Sequence, residues 1–494
     1  MEPIVLIHGY SAESKESTPA AIAKIYGTLP EALRAAYGSE AVVEIDLSRY
    51  VSLEDGVTLD DISRALDRAL TTDFAHLVPG PFHVITHSTG ALVIRNWIRM
   101  AGRKPSPIRN LIHLAGAHLG SGWAHIGKGQ LAKWARMVFQ AGAERGVQVL
   151  DALEFGSDRT LDLHLHFLHS ETAMASVYGV REYSIVGSQP AVEWYPIPIR
   201  YAKEDGSDGV VRVAASNLNM HYLRFGPTAA ALALAWKDAS GELGKHLRRR
   251  GARQSLYELK DSSLPGEGER PEIPFAIPYE CAHTGKDLGI VVGTHPRDQV
   301  LRLVRQALET PAAEWSSRVA DFRTELDATY QKVLTQQAPS WWKKWIEEPR
   351  AQYDRHAQLI FRIRDQDGRP VLHHDIFLDS VQGKGDPSLP VGSLFEDKHV
   401  NETSPHIIAF YLRADAFSAS DETWVPRIPQ VNGCFFEVTA TEPETDEVLY
   451  LPMRFEFSKD DLIGWVRGHR TTIVDVELLR LPSPNVYRMV RFAG

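Results

Sequence analysis

The first third of the chain alternates short apolar runs with amphipathic stretches. Leu59 to Leu70 has the apolar spacing of a helix, and a helical pattern also begins at Ala91. The apolar runs that predict buried strands are 3–7, 82–86, 108–115 and 181–187. Strands that alternate with helices favour a parallel sheet with helices on both faces.

The pattern changes between the third and fourth of these strands. From about residue 121 to 180 the apolar positions follow a helical period, including the stripe that contains Trp134 and Val138. An insertion at this point of the sheet suits a cap over an active site, although an ordinary packed helical pair has the same pattern. Further helical patterns cover residues 296–308 and 312–336.

Beyond residue 350 the apolar period becomes two, with turn signals at residues 365–368 and 443–446. Short strands of this kind, the last one at residues 486–492, predict a β-sandwich over residues 351–494. We therefore expect a catalytic domain over residues 1–338 and a C-terminal β-domain. The predicted strands of the β-domain are 359–364, 406–413, 434–439, 449–457, 472–478 and 486–492.

The segment that joins the two domains, residues 339–350, carries Trp341, Trp342 and Trp345 together with two lysines. Tryptophan and lysine are favoured at a membrane interface, where the ring lies among the headgroups and the ammonium meets phosphate. Tryptophans also pack one domain or subunit on another. Both interpretations are open.

Composition excludes several classes of protein. At 494 residues the chain is long enough for two domains, and no apolar run reaches the length of a membrane span. A strand follows Met1 directly, so we expect no cleaved signal peptide and synthesis in the cytoplasm. Cys281 and Cys434 lie too far apart for a disulfide framework, which fits a reducing compartment. The net charge of −9, with interspersed signs, argues against nucleic-acid binding.

The strand at Phe82–His87 leads through Ser88 directly into the next helical pattern. A serine on a sharp strand-to-helix turn is the nucleophile elbow of α/β-hydrolases, usually written G-x-S-x-G. Gly90 occupies the second glycine position and Thr86 stands in place of the first. The pattern predicts a nucleophilic serine that the turn holds in a strained conformation.

Acyl transfer also needs backbone N–H groups aimed at the developing oxyanion. In this fold they come from the loop after an early strand and from the residue that follows the nucleophile. The apolar run 3–7 ends at His8-Gly9. Tyr10 and Thr89 are therefore the predicted oxyanion donors.

The acid of a catalytic triad should follow the strand at residues 181–187, because the chain order in this fold is nucleophile, acid, base. Asp208 lies in a glycine-flanked turn before another apolar run, and this position favours it as the acid. Asp205 is the alternative. Aspartate is also common in solvated turns, so the turn alone does not decide between them.

The base has four candidates downstream of the acid. His283 lies in a loop of small residues shortly before the helix at 296–308, where an imidazole could reach both Ser88 and Asp208. His295 is the second choice. His221 lies within a predicted secondary-structure element, and His246 precedes three arginines that indicate a solvated helical face.

Four features of the chain point to one known family: Thr86-His87-Ser88-Thr89-Gly90, His8-Gly9, the turn at Ser207–Val211 and the β-rich C-terminal region. Together they resemble the PlaB family of bacterial cell-associated phospholipases A and lysophospholipases A. The resemblance implies a triad of Ser88, Asp208 and His283. It also implies peripheral membrane association without a signal peptide, a C-terminal domain needed for activity, and a homotetramer. The interval from acid to base is longer here because of a polar stretch at residues 248–270, which we interpret as a surface insertion.

The sequence thus predicts a serine hydrolase of phospholipid and lysophospholipid acyl esters, with no cofactor and no metal. No acidic cluster has calcium-ligand spacing and no Cys/His set suits zinc. A carboxylesterase or lipase acting on neutral or short-chain esters is the alternative within enzymes. A catalytically idle scaffold whose β-sandwich binds a partner is the alternative outside them.

Overall fold

The structure is a computed structural model. It describes residues 2–8, 23, 25–52, 56–78, 80–121, 147–189, 205–237, 256–268, 270–335, 349–381, 386–445 and 447–482. Several predicted features lie outside these residues: Tyr10, His246, the first part of the polar stretch 248–270, the three tryptophans of the joining segment and the last predicted strand.

The described strands alternate with helices in the first part of the chain and predominate after residue 350. The strands are β1 Ile4–His8, β2 Val42–Asp46, β3 Phe82–His87, β4 Ile108–Leu114, β5 Arg181–Ile185, β6 His221–Pro227, β7 Tyr257–Ser263, β8 Phe275–Ala276, β9 Arg355–Asp365, β10 His374–Ser380, β11 Phe395–Val400, β12 Ile407–Ser418, β13 Thr423–Pro426, β14 Gly433–Ala440, β15 Val448–Tyr450, β16 Met453–Ser458, β17 Thr471–Leu478 and β18 Arg480–Pro482. The helices are α1 Leu29–Tyr37, α2 Leu59–Thr71, α3 Gly90–Ala101, α4 Val147–Leu153, α5 Asp158–Leu168, α6 Val213–Ser216, α7 Ala229–Lys237, α8 Arg297–Glu309, α9 Arg318–Thr335 and α10 Lys459–Trp465.

The chain forms two compact units. The first contains Met1–Asn219, Pro265–Arg355 and Ala416–Trp424, and it is built on a sheet with the strand order β2-β1-β3-β4-β5-β8. All neighbouring strands in this sheet are parallel. The prediction of a parallel sheet with alternating helices is therefore confirmed.

Alternate residues of the central strands pack against helices on opposite faces of the sheet. Val5 and Ile7 lie in an apolar cluster with residues of α2 and α3. Ile4 and Leu6 lie in another cluster with residues of α1, α8 and α9. A parallel sheet that is covered on both faces explains why its strands read as continuous apolar runs rather than as alternating ones.

The second unit contains Met220–Leu264, His356–Asp415 and Val425–Gly494. One sheet has the order β11-β12-β9-β17-β6-β7, with β13 beside β12, and another has the order β10-β14-β16. Residues of both sheets, among them Phe361 and Phe436, share one apolar cluster. This arrangement agrees with the predicted β-domain and adds two central parallel pairings, of β17 with β6 and with β9.

The two units differ from the predicted domains, because Ala416–Trp424, within the predicted β-domain, belongs to the first unit. The sequence also predicts a catalytic domain over residues 1–338, whereas Met220–Leu264 belongs to the second unit. The reason is strand pairing: β6 hydrogen-bonds in parallel to β17, and β7 pairs with β6. Part of the polar stretch 248–270 was therefore wrongly interpreted as a surface insertion, because residues 257–263 form the edge strand β7.

Helices α4 and α5 occupy the described part of the predicted helical insertion. Ser157 caps α5, because its side chain accepts a hydrogen bond from the backbone N–H of Thr160. The role of this insertion as a cap stays a prediction. Within the described part of the chain, no helix has the length and apolar character needed to cross a bilayer.

Candidate active site

Ser88 lies between β3 and α3, where the chain turns sharply. Its φ is 54°, in the left-handed region that residues other than glycine rarely adopt, and its side chain is almost fully buried. Such a conformation costs about 1–3 kcal/mol and persists only where the surrounding structure holds it. Strain at a serine on this turn is the expected geometry of a nucleophile elbow.

The loop after β4 holds the backbone of Ser88 on both sides. The N–H of Ser88 donates to the carbonyl of Leu114 at 3.1 Å, and the carbonyl of Ser88 accepts from the N–H of Ala117 at 3.2 Å. Ala115, between these two residues, also has a positive φ of 50°. The strained serine is therefore held by a second strained turn.

Asp208 lies in a tight turn between Gly206 and Gly209, which both have positive φ. Its carboxylate oxygen Oδ1 accepts hydrogen bonds from the N–H groups of Val210 and Val211, at 3.0 and 2.7 Å. These bonds fix the carboxylate and leave Oδ2 for another partner. The backbone N–H groups of the two residues after the turn thus orient the acid.

His283 contacts both other members of the predicted triad. Its Nδ1 lies 2.8 Å from Asp208 Oδ2, and its Nε2 lies 3.1 Å from Ser88 Oγ. All three side chains are at least 97% buried. Because the carboxylate can only accept, Nδ1 donates to it and Nε2 is left as an acceptor for the Ser88 hydroxyl. This arrangement is chemically able to activate a serine for attack on a carbonyl carbon.

The alternative residues lie elsewhere. His295 is half exposed and bonds Glu280, while His221 belongs to the second unit, where its Nδ1 bonds the carbonyl of Trp465. The carboxylate that bonds His283 is that of Asp208, rather than that of Asp205.

Burial, together with the nearby Asp208, raises the pKa of the Cys281 thiol well above its usual value. This cysteine is therefore held as a thiol.

Thr89 is the predicted oxyanion donor that the structure describes. It precedes α3, where the first backbone N–H groups have no acceptor within the helix. Its hydroxyl is buried without a hydrogen-bond partner. Tyr10, the other predicted donor, lies outside the described residues.

An apolar crevice begins at Thr89. It lies among α2, α3 and α4. The other lining residues are Leu59, Ile62, Leu92, Val93, Val149, Ala152 and Leu153. An apolar surface thus begins one residue after the candidate nucleophile.

A chain of buried polar residues, not predicted from the sequence, lies beneath the elbow. Thr86 Oγ1 lies 3.1 Å from His113 Nδ1, and His113 Nε2 lies 3.1 Å from Glu182 Oε1. The same carboxylate oxygen accepts from the guanidinium of Arg95 at 2.6 Å. Each of these side chains is at least 97% buried. A sequence signal was present: Glu182 is an acid within a fully buried strand, where a charge needs a partner.

Two further buried histidines adjoin this chain. His118 makes an edge-to-face ring contact with His113 at 4.6 Å and another with His164 at 5.5 Å. Burial lowers the pKa of His118 well below its usual value and lowers that of His164 to about 3. These rings are neutral at physiological pH. No group of three or more His, Cys, Asp or Glu side chains in the described ranges has an arrangement that could hold a metal ion.

Comparison with solved structures shows a full-length similarity. Phospholipase PlaB from Legionella pneumophila has a TM-score of 0.74 at 23% sequence identity, over 100% of this chain and 97% of that one. A structure of PlaB in complex with thio-NAD has a TM-score of 0.73 with the same identity and coverage. The mature lipase BlEst2 from Bacillus licheniformis has a TM-score of 0.32 at 14% identity, over 44% of this chain and 79% of that one.

No protein-family model matches the chain, and no curated protein matches it by sequence. The similarity to PlaB is therefore one of fold. It confirms, at that level, the resemblance inferred from the motifs and the α/β-hydrolase fold followed by a C-terminal β-domain.

Proposed function

We propose that this protein is a serine hydrolase of carboxylic acyl esters and that phospholipids and lysophospholipids are its substrate class. The observation that carries the proposal is the position of Ser88. Its strained backbone presents Oγ at 3.1 Å from an imidazole nitrogen, and the other nitrogen of that ring bonds a fixed carboxylate. Geometry of this kind is the recognised basis for nucleophilic acyl transfer.

In the acylation half-reaction, Ser88 Oγ attacks the ester carbonyl carbon while His283 Nε2 takes the hydroxyl proton. The tetrahedral intermediate then collapses, and His283 returns that proton to the oxygen of the leaving alcohol. Asp208 holds the ring in the required tautomer and stabilises its cationic form. A diacyl phospholipid gives a lysophospholipid as the leaving group, and a lysophospholipid gives a glycerophosphodiester.

In the deacylation half-reaction, water attacks the acyl-enzyme. His283 takes one proton from that water and delivers it to Ser88 Oγ as the fatty acid leaves. The N–H of Thr89, with Tyr10 as the second donor predicted from the sequence, stabilises the oxyanion in both steps. The cycle uses the triad and these backbone donors, and its steps balance without a metal or cofactor.

The choice of lipid esters has two supports. The first is the apolar crevice beside Thr89, which suits the first methylenes of an acyl chain. The second is the full-length fold similarity to an enzyme named phospholipase PlaB. Peripheral membrane contact and a homotetrameric assembly remain predictions that follow from the resemblance.

Reaction of the purified protein with a fluorophosphonate probe tests the chemistry. Wild type should be labelled and Ser88→Ala should not, because the change removes the nucleophile and little volume. An unlabelled wild-type protein with a native circular dichroism spectrum would favour the idle scaffold and overturn the proposal.

A lipid panel tests the substrate class. Fatty acid release from phosphatidylcholine and lysophosphatidylcholine should exceed hydrolysis of tributyrin and p-nitrophenyl acetate at equal ester concentration. The opposite order would favour the short-chain esterase. Ala152→Phe, which narrows the crevice, should lower kcat/KM for long-chain esters more than for the acetate, whereas equal effects on both would exclude the crevice as an acyl site.

A further inference from the structure

We infer that Thr86, His113 and Glu182 form a buried positioning relay that holds the nucleophile elbow in its reactive geometry, with Arg95 as the counter-ion of Glu182. The inference rests on the proposed function and adds to it. None of these four residues belongs to the triad, and Thr86 lies two residues before Ser88 in the chain. Their effect on the reaction is therefore through Ser88.

The hydrogen bonds of the relay have one consistent direction. Arg95 donates to Glu182, so Glu182 acts as a carboxylate that accepts, and His113 Nε2 must carry the proton it gives to that oxygen. His113 Nδ1 is then an acceptor, and it receives the Thr86 hydroxyl proton. The other acceptor near Thr86 Oγ1 is the Ile112 carbonyl, farther away at 3.5 Å. The relay fixes the orientation of the Thr86 hydroxyl.

The charges in the relay agree with this assignment. Although burial opposes ionisation of Glu182, Arg95 and the His113 hydrogen bond lower the pKa of its carboxyl group below the usual value. Burial lowers the pKa of His113, so its ring is neutral. An ionised carboxylate between a guanidinium and a neutral imidazole is a buried charge bonded to its counter-ion, and breaking the pair would be strongly destabilising.

The relay joins β3 and α3, which flank the elbow, to the neighbouring strands β4 and β5. Thr86 lies at the end of β3, two residues before Ser88, and Arg95 lies on α3, the helix that leaves the elbow. His113 precedes Leu114, whose carbonyl bonds the N–H of Ser88. Both arms of the strained turn are therefore connected, through two neighbouring strands, by hydrogen bonds between buried side chains.

The relay also gives a physical reason for the departure from the usual elbow sequence. In G-x-S-x-G, the first glycine lets strand and helix approach closely. Here Thr86 occupies that position with its hydroxyl directed to His113. A glycine would fit but would leave His113 Nδ1 buried without a donor, which costs about 1–3 kcal/mol. Restoring the usual motif should thus impair this enzyme.

Three variants at one position separate the hydroxyl from the side-chain volume. Thr86→Val removes the hydroxyl and keeps the shape, Thr86→Ser keeps the hydroxyl, and Thr86→Gly restores the usual motif. Thr329→Val is the matched control in the same unit, because Thr329 is also fully buried and its hydroxyl donates to the Ile277 carbonyl. The measurements are the initial rate of fluorophosphonate labelling, kcat and KM for one p-nitrophenyl ester, and Tm.

We expect Thr86→Val and Thr86→Gly to lower kcat and the labelling rate by about 10- to 100-fold with KM nearly unchanged, the effect of a slightly misplaced nucleophile. Thr86→Ser should remain within about threefold of wild type. Thr329→Val should lower Tm and leave kcat and the labelling rate unchanged. If Thr86 acted only through its volume, Thr86→Ser would not keep the activity that Thr86→Val loses.

Wild-type kcat in folded Thr86→Val or Thr86→Gly would overturn the relay. So would equal losses in Thr86→Ser and Thr86→Val. If neither Thr86→Val nor Thr86→Gly folds while Thr329→Val does, the chain serves the fold rather than the reaction, and the inference also fails. An unreactive wild type would instead refute the proposed function, so that the two failures are distinguishable.

Discussion

Asp208 and His283 are joined twice. The carboxylate of Asp208 bonds the imidazole Nδ1 at 2.8 Å, and the main-chain carbonyl of the same aspartate accepts the backbone N–H of His283 at 2.9 Å. The second bond fixes the histidine backbone relative to the acid independently of the side chains. Substitutions of the carboxylate should therefore change the chemistry more than the geometry.

Asp208→Asn tests this expectation. The amide oxygen can still accept from Val210 and Val211, but the amide nitrogen then faces His283 Nδ1 and donates to it. The imidazole is forced into the tautomer that cannot take the Ser88 proton, so kcat should fall about 10⁴-fold. Tm should change little. A variant within tenfold of wild type would remove Asp208 from the mechanism.

His283→Ala should abolish nearly all ester hydrolysis, because it deletes the base that contacts Ser88. His295→Ala is the matched control from the same loop region, where the half-exposed ring bonds Glu280 at the surface. Its effect on kcat should be less than about twofold. The assay is steady-state hydrolysis of one ester by both variants, and the reverse order of damage would transfer the role of base to His295.

Gly187→Ala tests the close approach behind the catalytic loop. A Cβ at Gly187 would lie 2.1 Å from the Cys281 carbonyl oxygen, far inside any normal contact. The loop from Cys281 to His283 must then move, and we expect loss of fluorophosphonate labelling with a lower Tm. Gly80→Ala, which meets no atom within 4 Å, should be neutral in both measurements. Full labelling of Gly187→Ala would show that the loop tolerates displacement.

Acid should destabilise the first unit through its buried histidines. Burial is the main cause that lowers the pKa of His83 to about 4 and that of His164 to about 3. Below about pH 6.5 the unfolded chain binds these protons and the folded one does not, so the free energy of unfolding falls as the pH decreases toward 4. Urea unfolding at pH 7.5, 6.5, 5.5 and 4.5 measures this slope.

His164→Gln is the informative variant in that series. A glutamine amide can still donate to the His118 carbonyl that His164 Nε2 bonds, but it does not titrate. The dependence on pH should be shallower by up to about 1.4 kcal/mol per pH unit. An unchanged slope would show that His164 does not contribute to acid sensitivity.

Elements with strong apolar periodicity were predictable from the sequence, whereas exposed strands were not. The predicted helix at Leu59–Leu70 is α2, and the predicted strand at 181–187 contains β5. Strands β7, β10 and β11 are rich in polar residues and most of their side chains are partly or fully exposed, so no long apolar run marks them. The membership of β6 in the second unit depends on a partner far along the chain, which a local pattern does not contain.

The candidate site was also predictable only in part. Glycine-flanked turns and a motif of fixed spacing predicted the positions of Ser88 and Asp208, and a loop of small residues predicted that of His283. Their mutual contacts follow from the sheet, whose strands end together at one edge. The relay was not predicted because His113 and Glu182 lie on different strands, and their partnership becomes visible only when β4 and β5 are paired.

Because β6 pairs with β17, the second unit cannot finish folding until β17 has been translated. Tyr222 on β6 bonds Asp475 on β17, 253 residues later in the chain. At about 5–20 residues per second, the ribosome supplies that partner tens of seconds after β6 emerges. Until then the edge of β6 that pairs with β17 has no partner, although the residues around His283, which belong to the first unit, have already been translated. The triad can thus be assembled while the second unit still lacks its central strand, which makes the nascent chain vulnerable to association with other unpaired edges.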